Sequence, residues 1–258
     1  MEKTEENTGA ELLAIVRSLK AQVQSEIDSG RTPSYLCMRG EAPVNDSPVV
    51  SDSRVENRAS LQKLITLEDV RNELGDCQRC SLGRVRTNLV FGEGNSKAEL
   101  VFVGEAPGGD EDIQGRPFVG RAGQLLTKII EAMGLKRQDV YICNILKCRP
   151  PGNRNPRPEE INACELFLVK QLKAINPRVI CALGTFAAHT LLKTDVPITL
   201  LRGKFHSYQG IQLMPTYHPA FLLRNQGSKK LVWEDIQKIM KVLSPQKSRE
   251  ALNSDTRL

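Results

Sequence analysis

The chain has 258 residues, 40% of them hydrophobic, with seven cysteines and a formal charge of +6, enough to bury one sizeable core with appendages. It contains no run of about 18 apolar residues, which argues against a membrane-spanning helix, and its start, MEKTEENTGAELL, lacks the basic and apolar regions of a secretory leader, so a cytoplasmic protein with no membrane attachment is expected. In that compartment the cysteines do not read as disulfide staples, and an organised subset points to metal or redox chemistry.

Residues 1–60 hold 7 basic and 10 acidic side chains, so residues 61–258 carry +9. Such an excess attracts phosphate backbones or acidic surfaces, although an ordinary basic surface has the same signature. Leu12, Leu13, Val16, Leu19, Val23 and Ile27 recur at helical spacing, predicting an amphipathic helix over 9–28 that docks either on this chain or on a protein partner. Residues 29–60 place Pro33, Pro43 and Pro48 among Ser, Asn, Asp and Gly, a composition too poor in large apolar groups for a core, and read as a flexible tether. Cys37 lies in it without an evident role. The expected organisation is an N-terminal helix and tether over 1–60, a compact domain over 61–243 and a loose tail over 244–258.

Within the compact domain the pattern predicts a helix near 67–76, a strand 99–104, a helix 121–134, a strand 139–147, a helix 159–175, a strand 178–184 and a helix near 185–193. A hairpin-like region, 198–213, follows, with Leu213-Met214-Pro215 as the last strand, and then a helix over 229–243 that puts Val232, Ile236, Ile239 and Val242 on one face. Alternation of this kind implies right-handed βαβ units. The fold class expected is α/β: three αβα layers around a central, mainly parallel four-stranded sheet.

The apolar run ELVFVGE empties into a loop rich in glycine and carboxylates, Gly104 to Gly123, GEAPGGDEDIQGRPFVGRAG. Loops beyond the carboxyl ends of parallel strands are where α/β proteins bind ligands, although Gly/Pro-rich turns serve plain turn chemistry as well. Neither a phosphate-cradling P-loop nor a dinucleotide fingerprint is present. Gly108 and Gly109 allow close backbone approach, Asp110, Glu111 and Asp112 supply carboxylates, and Phe118 offers a flat face for stacking.

Cys77 and Cys80 form a C-x-x-C, Cys148 ends the second strand's run and Cys164 falls in the following helix. Four such residues suffice for one site, and spacing leaves zinc, an iron–sulfur cluster and buried inert thiols all open. Cys143 and Cys181 sit inside apolar strand runs and read as small core residues. The segment RPPGNRNPRP is stiffened by prolines that forbid a helix, and carries Arg149, Arg154 and Arg157 as a cationic rim suited to a phosphate backbone. Near the chain's end, His218-Pro219-Ala220-Phe221-Leu222-Leu223-Arg224-Asn225 reads as a loop with a histidine at a strand end; His189 and His206 lack that placement and read as structural.

Together GEAPGGDEDIQGRPFVG, NILKCRPPGNRNP and HPAFLLRN resemble the family 4 uracil-DNA glycosylases, the iron–sulfur branch of the uracil glycosylase superfamily, over residues 70–243. The resemblance implies a [4Fe-4S] cluster held by Cys77, Cys80, Cys148 and Cys164. It implies hydrolysis of the bond between uracil and deoxyribose in DNA after the nucleotide is flipped out of the stack. On this likeness Phe118 stacks on uracil, Asn144 reads its polar edge, and His218 donates to the oxyanion developing on the base, aided by the backbone of Glu105 and Ala106. Glu111 orients water or favours positive charge on the sugar, Asn153 occupies another position linked to catalysis, and Leu222, Leu223 and Arg224 wedge into the duplex. Two rival readings stand beside it: a non-enzymatic iron–sulfur DNA-binding module, and a superfamily glycosylase acting on other deaminated bases such as hypoxanthine.

Overall fold

The computed structural model describes residues 65–244; the helix expected at 9–28, the tether that follows it with Cys37, and the tail beyond Ser244 lie outside the described residues. Helix α1 (Leu67–Leu74) starts where Thr66 and Asp69 exchange side-chain and backbone hydrogen bonds in a capping box. Its Val70 and Leu74 pack with Phe91 and Phe167 in a small satellite cluster. The chain then forms β1 (Glu93–Gly94), β2 (Leu100–Gly104), α2 (Gly109–Gln114), α3 (Arg121–Ala132), β3 (Tyr141–Asn144), α4 (Pro158–Ile175), β4 (Val179–Leu183), α5 (Thr185–Leu192), α6 (Ile198–Leu201), β5 (His206–Tyr208), β6 (Ile211–Thr216), α7 (Pro219–Arg224) and α8 (Lys229–Leu243).

The sheet order is β1-β3-β2-β4-β6-β5. Strands β3, β2, β4 and β6 are parallel to one another; β1 and β5 are short antiparallel additions at the two edges. The expected four-stranded parallel sheet is therefore the centre of a six-stranded one. Every residue of β2, β3 and β4 is buried, as uninterrupted apolar runs require when helices cover both faces.

Alternation along the strands sorts the core into two layers. Val101, Val103, Cys143, Ile180 and Ala182 face one way and pack with Leu168 and Leu172 of α4 and Ala187, Ala188 and Leu191 of α5. Leu100, Phe102, Ile142, Cys181 and Met214 face the other way, against Leu126 and Ile130 of α3 and Val232, Ile236 and Ile239 of α8. Cys143 and Cys181 are core residues, as expected. No helix among the described residues is long and apolar enough to cross a membrane.

Two segments expected as loops contain short helices. Within GEAPGGDEDIQG, α2 forms because Glu111 reaches back to accept from the Gly108 N–H at 3.1 Å, with three acidic residues in the first turn complementing the helix dipole. In HPAFLLRN, His218 caps α7 and Pro219 occupies its first turn. Both helices are six residues long, too short for apolar periodicity to announce them. The proline segment holds a 3₁₀ turn at Pro151–Asn153 before α4 begins at Pro158.

The four parallel strands deliver their carboxyl ends to one edge. From β2 the chain moves to β3 on one side and then to β4 on the other, so the strand order reverses about β2 and leaves a crevice at that edge.

Candidate active site

That crevice is a cavity of about 460 Å³ lined by Glu105, Ala106, Pro107, Gly108, Glu111 and Phe118 after β2, Asn144 at the end of β3, Pro150, Asn153, Arg154 and Asn155 from the proline segment, and His218, Ala220, Phe221 and Arg224 after β6. Three segments far apart in sequence meet here, bringing together every expected catalytic and base-binding residue. Its size suits a small planar ligand.

Asn144 is 2% exposed, and its Oδ1 has no hydrogen-bond partner among the described residues. A buried, unpartnered acceptor costs about 1–3 kcal/mol, so this amide is set for a donor that arrives with a ligand. Phe118 stands beside it: a Cβ at Gly104 would strike Asn144 Oδ1 and come within 2.5 Å of Phe118 Cζ. Glycine at 104 is what lets ring and amide lie against the end of β2 together.

Phe118 has a left-handed backbone, φ 52°, a conformation costing about 1–3 kcal/mol for a non-glycine residue. Its surroundings hold it there. Arg137 donates to the Phe118 carbonyl at 3.0 Å, to the Pro117 carbonyl at 2.8 Å and to Glu93 at 2.6 Å. Burial pushes the Glu93 carboxyl up, but Arg116 and Arg137 outweigh it and keep the group below its usual range. Neither Arg137 nor Glu93 stood out in the sequence, because the two are distant along the chain and lie outside the motifs.

His218 forms the opposite wall, its ring centroid 5.6 Å from that of Phe118. The Ala220 N–H donates to His218 Nδ1 at 3.1 Å, so Nδ1 is the unprotonated nitrogen and Nε2 carries the hydrogen. Burial first, and then the charge of Arg224, push the imidazole pKa down to about 4. The ring is a neutral hydrogen-bond donor at physiological pH. His189 and His206 each engage a backbone carbonyl, of Val196 and Leu201, at 2.8 and 3.0 Å, in keeping with structural roles.

Glu111 is less free than its expected role suggested. Its Oε1 accepts from the Val119 and Gly120 N–H groups, both at 2.9 Å, while Oε2 accepts from Gly108. It therefore clasps the loop between β2 and α3, and one lone pair on Oε2 remains for another donor. Asp112 is wholly structural: it is buried and accepts from the Thr87 and Asn88 N–H groups at 2.9 and 3.3 Å. Glu105 shares the cavity, and burial alone raises its carboxyl to about 7.

Asn153 has φ 54° and accepts from Arg149 Nε at 2.8 Å, leaving its amide hydrogens free to donate. Of the three rim arginines, Arg154 is held by both oxygens of the buried Glu160, at 2.9 and 2.5 Å, and Arg157 lies 3.9 Å from the exposed Glu159, so among the described residues the rim charge without an ion pair is that of Arg149. Of the expected wedge residues, Leu222 must be set aside. It is 1% exposed and packs in the core with Leu126 and Val232, whereas Leu223 is half-buried and Arg224 exposed at the rim.

The cysteines form a second constellation. Cys148 and Cys164 are buried, Cys77 and Cys80 half-buried, and all are free thiols. Burial raises the Cys148 thiol to about 11 against the downward pull of Arg86, with Cys164 and Cys80 adding to the rise; burial likewise raises Cys164 against the pull of Lys147, with Cys80 and Cys77 adding to the rise. Three sulfurs already accept hydrogen bonds: Cys77 from Arg79 at 3.3 Å, Cys148 from Arg86 at 3.2 Å and Cys164 from the Lys147 N–H at 3.3 Å. Among the described residues no three His, Cys, Asp or Glu side chains converge on a single metal-ion position.

The sequence profile of the uracil DNA glycosylase superfamily matches residues 91–237. The chain is 46% identical over 187 residues to a type-4 uracil-DNA glycosylase of Saccharolobus solfataricus, covering 69% of this chain and 87% of that one. It is 49% identical over 176 residues to the type-4 enzyme of Thermotoga maritima, covering 67% and 92%. A type-5 uracil-DNA glycosylase of Pyrobaculum aerophilum is more distant, at 31% over 209 residues, covering 67% of this chain and 90% of that one. With its cavity at the strand ends, a superfamily profile matched over residues 91–237 and type-4 relatives at 46–49% identity over about two thirds of the chain, the chain belongs to the uracil DNA glycosylase superfamily, in its type-4 branch.

Proposed function

We propose that the protein excises uracil from DNA by hydrolysing its N-glycosidic bond, leaving an abasic site for base excision repair. The observation that carries this reading is the unpartnered Oδ1 of Asn144 beside the Phe118 ring. Uracil presents an N–H flanked by carbonyls; Oδ1 accepts from the N–H while the same amide donates to the neighbouring carbonyl. Phe118 stacks on the flipped base. As the bond to the sugar breaks, negative charge grows on uracil, and the neutral His218 donates from Nε2–H to the oxygen that carries it, with the Glu105 and Ala106 backbone beside it. The remaining lone pair of Glu111 orients the attacking water, and its charge favours the cationic sugar; Asn153 supports the same side through its amide hydrogens. The described cavity lining contains no lysine, so no Schiff base forms on this route and the reaction is hydrolysis. Leu223 and Arg224, without Leu222, fill the gap left in the duplex.

Cys77, Cys80, Cys148 and Cys164 hold a [4Fe-4S] cluster in this reading. Four cysteines that the chemistry of soft thiolate ligands suits to an iron–sulfur group, with N–H donors aimed at three of the sulfurs, fit a thiolate-bound cluster. When bound, the cluster supplies a rigid cross-link that ties the segment after α1 and the proline segment to α4. Residues 1–60 remain, in this proposal, a docking helix and tether.

Incubation with oligonucleotides carrying uracil, hypoxanthine or no lesion, followed by alkali, tests the reaction. Scission at uracil that needs alkali is expected. DNA binding without scission would favour the binding module, and scission at hypoxanthine alone the sister specificity. The purified protein should be brown with matched iron and sulfide, and a colourless protein holding stoichiometric zinc would overturn the cluster.

A further inference from the structure

Behind the base pocket lies a lysine that no step above employs. Lys147 is 0% exposed, and its Nζ donates to the main-chain oxygen of Asn144 at 2.7 Å and to Gln171 Oε1 on α4 at 2.6 Å. Gln171 is itself fixed, donating to the Phe91 carbonyl at 2.9 Å and to the Tyr141 hydroxyl at 3.2 Å. The Lys147 backbone N–H donates to Cys164 Sγ, and the next residue is Cys148. One residue thus touches the strand end that carries the base-reading amide and the helix that carries a cluster cysteine.

A fully buried ammonium is expensive unless an anion compensates it. Among the described residues no carboxylate pairs with Lys147. The ionisable groups that the chain places beside it are thiols: its own backbone N–H meets Cys164 Sγ at 3.3 Å, and Cys148 follows it directly in the chain. A neutral amide would serve to hold the Asn144 carbonyl; a full positive charge calls for negative charge nearby, which a cluster ligated by four thiolates supplies.

We propose that Lys147 is a positioning residue coupling the cysteine site to the base pocket: its ammonium is the buried counter-charge of the cluster and, through the same hydrogens, fixes Asn144. This rests on the cluster and uracil readings above. The test is Lys147→Met in the full-length, cluster-loaded protein, a change that keeps length and removes charge and donors. The cluster's reduction potential should move to more negative values, because the more negative reduced state loses a cationic neighbour. Single-turnover uracil release should slow about 100-fold through the misplaced amide, while affinity for undamaged DNA stays unchanged. An unmoved potential, or a wild-type rate, would overturn the coupling. If Lys147→Met does not load iron, Lys147→Gln decides instead: it retains a donor without the charge, so the potential should shift while most of the rate survives, and an unmoved potential refutes the proposal. Should the wild type itself release no uracil, the functional reading has failed, and the potential of the variants still tests the charge of Lys147 against the cluster.

Discussion

If His218 acts as a neutral donor, the protein's pH behaviour follows from two observations, a pKa of about 4 and an Nδ1 already occupied by the Ala220 N–H. Lowering the pKa from the ordinary value near 6.5 to about 4 corresponds to about 3 kcal/mol favouring the uncharged ring, at about 1.4 kcal/mol per pH unit. Protonation would also set a second N–H against that of Ala220. The unfolded chain takes up this proton near 6.5 and the folded chain only near 4, so His218's contribution to stability is complete above pH 6.5 and is lost as pH falls toward 4. Single-turnover uracil release should therefore show no inflection from this group between pH 5 and 8, with its loss deferred to about pH 4. The chain has three histidines, so imidazole NMR, with His218→Gln to assign the signal, reads the titration directly. A His218 signal titrating at 6 or above would refute the reasoning and make the ring a cationic acid.

Other consequences concern neighbouring positions. Gly104→Ala drives a methyl group into Asn144 Oδ1 and Phe118 Cζ, so uracil release should fall at least about 100-fold while the visible absorption of the cluster is retained. Leu222→Ala should cost about 2–5 kcal/mol of stability as a core truncation, seen as a lowered melting temperature. Leu223→Ala should leave melting nearly unchanged and slow excision from duplex more than from single-stranded DNA. Glu105 holds its proton up to about pH 7 in the fold because burial disfavours its charge; the fold loses that advantage as pH rises from the ordinary carboxylate range through 7. Melting and excision profiles of Glu105→Gln should lack the inflection near pH 7 that the wild type shows.

Much of this arrangement was legible in the residues. The runs LVFVG and VICAL announced buried parallel strands because they offer no polar face to water, and loops after such strands are where a site is expected. The edge strands were harder to see: β1 spans two residues, and β5 pairs only through its hairpin with β6, so neither leaves a periodic signature. The short helices α2 and α7 depend on caps, Glu111 reaching to Gly108 and His218 accepting from Ala220, and capping is a contact rather than a composition. Leu222 and Leu223 are adjacent leucines whose fates diverge only once α7 turns one of them to the core. Lys147 carried a faint signal, a charged residue inside the buried run YICNILKC, but its partners Gln171 and Asn144 become neighbours only through folding.

The account turns on uracil release by a preorganised, neutral His218 wall. The most direct measurement is scission after alkali of an end-labelled duplex carrying one uracil, for the wild type and for His218→Ala at pH 7 under single-turnover conditions. The expected result is alkali-dependent scission at the uracil, slowed by about 10²–10³ when the donor is removed, with DNA affinity preserved. Equal rates in the two proteins, or no scission by the wild type while it binds the duplex, would contradict it.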